Sequence, residues 1–255
     1  MSPLRLLTAA AFALGLFGLQ PVASAQSFSD SQRGEIEAIV KNYLLTHPEI
    51  LEEVSAELSR RQAVAEKEKQ GANVKKYADL ILKSPRAVVV GNPSGDVTMV
   101  EFFDYNCGYC KHALEDMTRL IKNDPKLRVV LKEFPVLGQP SVEAAQVAVA
   151  VRMQDPTGKK YLEFHQKLLT GRGQADRARA LAVAKEVGLD MARIEKDMVS
   201  PEVRATLQES FTLAEELGMN GTPSYVIGDQ VAIGAIGHDK LKEKISLARC
   251  GKESC

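Results

Sequence analysis

A strand-to-helix junction that carries two cysteines constrains this chain more than any other feature. Residues 97–103 are almost continuously apolar, which is typical of a strand that is buried on both faces of a sheet. The motif Cys107-Gly108-Tyr109-Cys110 follows closely, and a helical pattern continues directly from it. We therefore predict that Cys107 stands at the N-terminus of a helix that follows a central strand.

This position favours thiol chemistry over a purely structural role. The unpaired backbone N–H groups and the positive end of the helix dipole favour a thiolate at Cys107. Cys110, one turn into the helix, is shielded and can resolve a mixed disulfide. A structural disulfide and half of a zinc site are the alternatives, but His112 stands alone and no second pair has ligand spacing. The motif therefore predicts a redox dithiol, with His112 facing solvent.

The rest of the pattern predicts a small sheet that is interrupted by helices. A second strand at 127–134 completes a β-α-β unit, which calls for a parallel strand pair. Gly228-Asp229 separates two short strand patterns and is a hairpin signal. The further predicted elements are a β-run at 87–90, helices at 142–153, 159–169, 178–187, 191–198 and 201–217, strands at 225–227 and 231–233, and a last helix at 239–247.

The first 25 residues have the features of a secretory signal. Arg5 supplies a positive start, Leu6 to Leu19 is apolar, and Ala23-Ser24-Ala25 is a small-residue cleavage site. The apolar run is shorter than the roughly 20 residues that a membrane-spanning helix needs. We expect export to the periplasm with cleavage after Ala25.

Residues 26–71 form a separate amphipathic segment. Apolar residues recur at helical spacing, and we predict helices at about 30–45 and 48–69 that end near Gly71. Thr46 and Glu49 have the spacing of a capping box for the second helix. The apolar stripe could pack on its own domain or pair with further copies of the chain, and periodicity does not choose between them. Its members are Ile36, Val40, Tyr43, Ile50, Val54 and Leu58.

Composition excludes some functions and restricts the role of the cysteines. Lys plus Arg and Asp plus Glu each number 33, so nothing indicates binding to nucleic acid. Trp is absent, so the core must be mainly aliphatic. Four cysteines in a chain of this length are too few for a disulfide scaffold. Cys250 and Cys255 are expected to form an inert disulfide or a frayed tail, with a second redox pair or a soft-metal site as alternatives.

Three motifs together resemble the DsbA-like family of bacterial disulfide oxidoreductases. They are the run from Phe102 to Lys111, the run from Lys132 to Pro135, and Gly221-Thr222-Pro223-Ser224. The similarity covers about residues 72–248. It implies an α/β thioredoxin fold at 72–255, with an inserted helical domain at 138–217 and an N-terminal helical oligomerisation segment at 26–71.

The resemblance also implies roles for particular residues. It implies a cis bond between Thr222 and Pro223 and places this pair beside Cys107. Glu101 stands where such proteins keep a buried acid, and a buried carboxyl can exchange protons with Cys110; the alternative is a Glu that faces water. Gly108 and Tyr109 are expected to tune the thiolate. Because neither brings a cation, we predict a thiolate less stabilised than in strongly oxidising relatives, whose dipeptides contain His.

With its N-terminal helices, the whole mature chain looks most like the ScsC family, which includes trimeric disulfide isomerases. This likeness implies a homo-oligomer, with a trimer favoured, that isomerises or reduces disulfides in misfolded or misoxidised exported proteins. It also implies a membrane thiol reductase of the ScsB type as partner. No cofactor or metal is expected beyond the Cys107–Cys110 dithiol. A DsbA-like dithiol oxidase and a copper-binding protein are the alternatives.

Overall fold

The computed structural model describes residues 28–255 and divides the chain into two compact units between Leu58 and Ser59. The predicted signal segment and its cleavage site lie outside the described residues. Within residues 28–255, every helix is too short or too polar to span a lipid bilayer.

The first unit contains helix α1 (Asp30–Thr46) and the beginning of α2 (Glu49–Lys76). Ser29 caps α1 by a reciprocal pair of hydrogen bonds with Gln32. The predicted capping box at Thr46 is wrong, because Thr46 is the last residue of α1 and its hydroxyl donates to the carbonyl of Asn42.

The predicted apolar stripe is present on these helices, but it is not buried. Helix α1 contains no buried residue, and Val40 and Tyr43 are among its exposed apolar side chains. Val54 on α2 is exposed as well. The predicted end near Gly71 is also wrong, because α2 continues without a break to Lys76. The role of residues 26–71 as an oligomerisation segment stays a prediction.

The second unit is built on one sheet, which has five strands within the described residues. The strands are β1 (Val88–Gly91), β2 (Val97–Phe103), β3 (Leu127–Glu133), β4 (Ser224–Ile227) and β5 (Gln230–Ile233). Their order in the sheet is β1-β3-β2-β4-β5. Strands β2 and β3 are parallel, as the β-α-β pattern predicts, and the other neighbouring strands are antiparallel.

Helices cover both faces of this sheet. The helices of this unit are the end of α2, then α3 (Ala78–Leu82), α4 (Gly108–Asn123), α5 (Gln139–Gln154), α6 (Lys159–Thr170), α7 (Arg177–Glu186), α8 (Met191–Asp197), α9 (Pro201–Glu216) and α10 (His238–Cys250). Helix α4 crosses between β2 and β3, and helices α5 to α9 form the predicted insertion between β3 and β4. The fold is therefore the predicted α/β thioredoxin fold with an inserted helical domain.

Strand β2 is central and contributes side chains to both cores, as its apolar run predicts. Met99 and Phe103 pack in the larger core with Met117 of α4. Val100 and Phe102 point to the opposite face and join a second core cluster there. The end of β2, from which the cysteine motif follows, is thus held rigidly from both sides.

Candidate active site

The two cysteines of the motif stand at the start of α4, where the sequence predicts them. Cys107 is the N-cap residue, and its carbonyl accepts the N–H of Cys110 at 3.1 Å. Both thiols are free; Cys107 is 6% exposed and Cys110 is completely buried. Gly108 and Tyr109 between them are exposed. The sulfur of Cys107 therefore lies at the rim of the core and that of Cys110 lies inside it.

The surroundings of Cys107 stabilise its thiolate. Its pKa is lowered from 9.0 to about 5, chiefly by a hydrogen bond from the Cys110 thiol. The side chain of Thr222 and the backbone N–H groups of Cys110 and Tyr109 act in the same direction, while burial opposes them. This value lies between those of about 3.5 and about 7 that DsbA and thioredoxin show.

Cys110 has the opposite character. The hydrogen bond to Cys107 and burial both raise the pKa of the Cys110 thiol far above its ordinary value. At neutral pH the pair therefore holds one thiolate and one thiol. Such an arrangement gives one sulfur that attacks and another that stays protonated until it is needed.

The segment before β4 lies against the reactive sulfur. The peptide bond between Thr222 and Pro223 is cis, as the family resemblance implies. The carbonyl oxygen of Thr222 lies 3.2 Å from Sγ of Cys107 and accepts a hydrogen bond from it when Cys107 is protonated. Ser224 follows directly and pairs with Phe102 across β4 and β2. Pairing with the central strand therefore fixes Thr222 beside the dithiol.

Glu101 is buried beneath the dithiol rather than facing water. It is 3% exposed and lies opposite Leu131 of β3 and Tyr225 of β4 in the sheet. Burial is the largest cause that raises the pKa of its carboxyl from 4.5 to about 8, followed by the charges of Cys107 and Asp116. A carboxyl with this pKa can take up or release a proton near neutral pH.

The remaining predicted candidates are placed as follows. His112 is exposed on α4, as predicted. Cys250 and Cys255 form a disulfide at the C-terminal end of α10, and Cys250 still belongs to the helix that was expected to end before it. Among residues 28–255 no group of three or more His, Cys, Asp or Glu side chains is arranged to hold a metal ion.

Sequence reasoning missed one buried polar residue at the site. Asp104 is 1% exposed, and its carboxylate accepts backbone N–H groups of Val136 and Leu137. Asp104 belongs to the run from Phe102 to Lys111 that resembles the DsbA-like family, but the resemblance assigned no role to it. An acidic residue directly after a buried strand is the signal that could have drawn attention to it.

Comparison with known protein families matches two segments of the chain. The family model described as a DSBA-like thioredoxin domain matches residues 98–246. The model described as the copper resistance protein ScsC N-terminal domain matches residues 32–65.

Two solved structures illustrate the likeness. A thioredoxin-like oxidoreductase from Silicibacter pomeroyi is 43% identical, and the match covers 67% of this chain and 96% of that chain with a TM-score of 0.64. A linker-deletion mutant of Proteus mirabilis ScsC is 28% identical over 88% of this chain and 98% of its own, with a TM-score of 0.65.

The curated relatives include larger proteins. The Na(+)/H(+) antiporter NhaA 1 of Salinispora arenicola is 24% identical over 64% of this chain, and the chain spans 25% of that protein's length. The family match, in contrast, spans more than half of this chain and contains the dithiol, the cis-proline segment and Glu101. The chain therefore belongs to the DsbA-like family of thioredoxin-fold thiol–disulfide oxidoreductases and carries an ScsC-type N-terminal domain.

Proposed function

We propose that the protein is an exported, periplasmic disulfide isomerase and reductase that attacks client cystines with Cys107. The observation that carries the exchange chemistry is the opposite character of two adjacent thiols, with the pKa of Cys107 lowered to about 5 and that of Cys110 raised. The choice of isomerisation over oxidation rests on the N-terminal helices. At neutral pH this arrangement supplies a nucleophile without any other cofactor.

The first step exchanges one sulfur–sulfur bond for another. The Cys107 thiolate attacks one sulfur of a client cystine and forms a mixed disulfide, while the other client sulfur leaves as a thiolate and takes up a proton. In isomerisation, a different client thiolate then attacks the mixed disulfide and restores free Cys107. The client keeps its number of disulfides, so no electrons are gained or lost overall.

The reductase step uses Cys110 and Glu101. Cys110 gives its proton to the Glu101 carboxylate and attacks the sulfur of Cys107, which forms the Cys107–Cys110 disulfide and expels the second client sulfur as a thiolate. That thiolate takes up a proton from water, so the client leaves as a dithiol. The negative charge on Cys107 helps to raise the pKa of Glu101. Because that charge is absent in the mixed disulfide, Glu101 becomes more readily ionised when Cys110 must lose its proton.

The oxidised dithiol must be reduced again before the next cycle. A dithiol donor outside the protein has to supply two electrons and two protons, and we propose a membrane thiol reductase of the ScsB type for this role. A DsbA-like oxidase would run the same exchange in reverse, from the Cys107–Cys110 disulfide. The lowered pKa of Cys107 favours that direction, because a stable thiolate makes the disulfide more oxidising.

The N-terminal helices support isomerisation over oxidation. Their exposed apolar side chains, with Val40 and Tyr43 among them, are suited to pairing with further copies of the chain. We propose a homo-oligomer, with a trimer favoured, that presents several dithiols to one misfolded client and so raises their effective concentration.

A pair of matched substitutions tests the proposed link between assembly and isomerisation. The double change Val40→Asp and Tyr43→Asp puts charges on the apolar stripe, whereas Lys41→Glu changes the charge at an exposed position between them. We expect the double variant to be monomeric by light scattering, to reduce insulin normally and to lose reactivation of scrambled ribonuclease. Lys41→Glu should behave as the unaltered protein does. A monomeric variant that still reactivates ribonuclease would refute the role of assembly.

A further inference from the structure

The three residues before Cys107 are all tied to the helical insertion. Asp104, Tyr105 and Asn106, which we call the catalytic loop, connect the end of β2 to the N-cap of α4. Each of their side chains contacts the insertion formed by α5 to α9, and two of them share Ser141 as a partner. The helical insertion is therefore in direct contact with the segment that places the reactive sulfur.

Asp104 makes the densest set of these contacts. Its Oδ1 accepts the N–H of Asn106 and the hydroxyl of Ser141, both at 2.7 Å. Its Oδ2 accepts the N–H groups of Val136 and Leu137 at 2.8 Å and 2.9 Å. Ser141 lies in the first turn of α5, and Val136 and Leu137 lie in the connection that leads to it. One buried carboxylate thus joins the catalytic loop to the start of the insertion.

Asn106 and Tyr105 make further contacts between the catalytic loop and the insertion. Nδ2 of Asn106 donates to Ser141 and to the carbonyl of Ala175, both at 2.9 Å, and the N–H of Ala175 donates back to Asn106 at 2.8 Å. The hydroxyl of Tyr105 lies 3.5 Å from that of Tyr161 and 3.4 Å from Nδ1 of His165, both on α6.

Asp104 is also connected directly to both cysteines through its backbone. Its carbonyl accepts the N–H of Cys107 at 3.1 Å, and its N–H hydrogen-bonds to the sulfur of Cys110. A shift of Asp104 would therefore move the N-cap of α4 and alter the hydrogen bond between the two sulfurs. Hydrogen bonds to a buried carboxylate are short and strong, and losing this acceptor would leave buried donors unsatisfied.

We propose that Asp104 is a positioning residue through which the helical insertion holds Cys107 at the N-terminus of α4 and beside Thr222. The inference rests on the proposed role of Cys107 as the attacking sulfur. It assigns the insertion a part in the reactivity of the dithiol, in addition to any contact with clients. The four donors to the carboxylate, all within 2.9 Å, carry the proposal.

The test is Asp104→Asn in the full chain. Asparagine keeps the shape, but its NH2 group faces N–H or hydroxyl donors that need an acceptor, so the loop must move. The readout is the pH dependence of Cys107 alkylation by iodoacetamide, which follows the thiolate. We expect the apparent pKa to rise by about one unit, which makes alkylation about tenfold slower at acidic pH.

Asp155→Asn is the matched control. Asp155 is also buried in the second unit, and it accepts hydrogen bonds from the N–H and hydroxyl of Thr157 and from the N–H of Tyr161. None of these hydrogen bonds involves a residue of the catalytic loop; Asp155 binds the backbone of Tyr161, whereas Tyr105 lies near the hydroxyl of that residue. We expect Asp155→Asn to lower the melting temperature and to leave the alkylation profile unchanged.

The outcomes separate positioning from general stability. If Asp104→Asn lowers the melting temperature but leaves the alkylation profile unchanged, or if Asp155→Asn shifts that profile equally, the proposal is wrong. Should Asp104→Asn fail to fold, Ser141→Ala removes one donor and must shift the profile in the same direction by a smaller amount; an unchanged profile refutes the proposal. Failure of the unaltered protein to reduce insulin would count against the proposed function alone, because alkylation needs no client.

Discussion

Replacing Glu101 with glutamine should stabilise the folded protein at neutral pH. In the folded chain the pKa of Glu101 is raised from 4.5 to about 8, chiefly because burial disfavours the charged carboxylate. Between these two values the folded state holds more protons than the unfolded state, so this group makes the free energy of unfolding fall as pH rises. Below pH 4.5 the carboxyl is protonated in both states and this cost disappears.

The size of the effect follows from the shift. One unit of pKa corresponds to about 1.36 kcal/mol, so the cost that accumulates between pH 4.5 and pH 7 is about 3 kcal/mol. Glutamine has nearly the same shape and does not ionise. The stability difference between Glu101→Gln and the unaltered protein should therefore grow by about 3 kcal/mol over this range.

Urea unfolding of both reduced proteins at a series of pH values measures this difference. Subtracting the free energy of unfolding of the unaltered protein from that of Glu101→Gln removes the pH-dependent contributions of the other groups. A stability change that the amide causes without ionisation has the same size at every pH. Glu115→Gln, at an exposed position on the same helix as the cysteines, is the control and should show no such growth. A Glu101→Gln difference that is equal at pH 4.5 and pH 7 would refute the argument from burial.

Three further predictions concern the dithiol. Glu101→Gln should slow closure of the Cys107–Cys110 disulfide about tenfold or more, measured by stopped-flow oxidation, while alkylation of Cys107 stays fast. Thr222→Val removes a donor to the thiolate and should raise the pKa of Cys107, seen in the thiolate absorbance; an unchanged titration would contradict this. Since the pKa of Cys107 is lowered from 9.0 to about 5, the reduced protein should gain stability over Cys107→Ser as pH rises from 5 to 9, and urea unfolding that shows no gain would refute it.

The sequence predicted the catalytic core well because its signals are local. The apolar run at 97–103 and the cysteines after it determine strand β2 and the N-terminus of α4, and both are confirmed. The burial of Glu101 follows from its place within that same run. Neighbouring residues suffice for these inferences, because a central strand must be covered on both faces.

Features that depend on distant contacts could not be predicted in the same way. Asp104 finds its partners Val136, Leu137 and Ser141 more than thirty positions away, so its neighbours in sequence give no sign of them. Helix α2 passes through Gly71, although glycine weakens a helix, and continues to a buried Val74 in the second unit. Packing of that apolar residue offsets the low helix propensity of the glycine.

The central claim is that the sulfur of Cys107 forms the bond to the client. Cys110→Ala removes the resolving thiol, so a mixed disulfide with a scrambled client should accumulate and can be mapped by mass spectrometry after digestion. We predict that the client cysteine is found joined to Cys107. A client joined to Cys250 or Cys255 instead, or no mixed disulfide at all while the unaltered protein turns over the same client, would contradict the account.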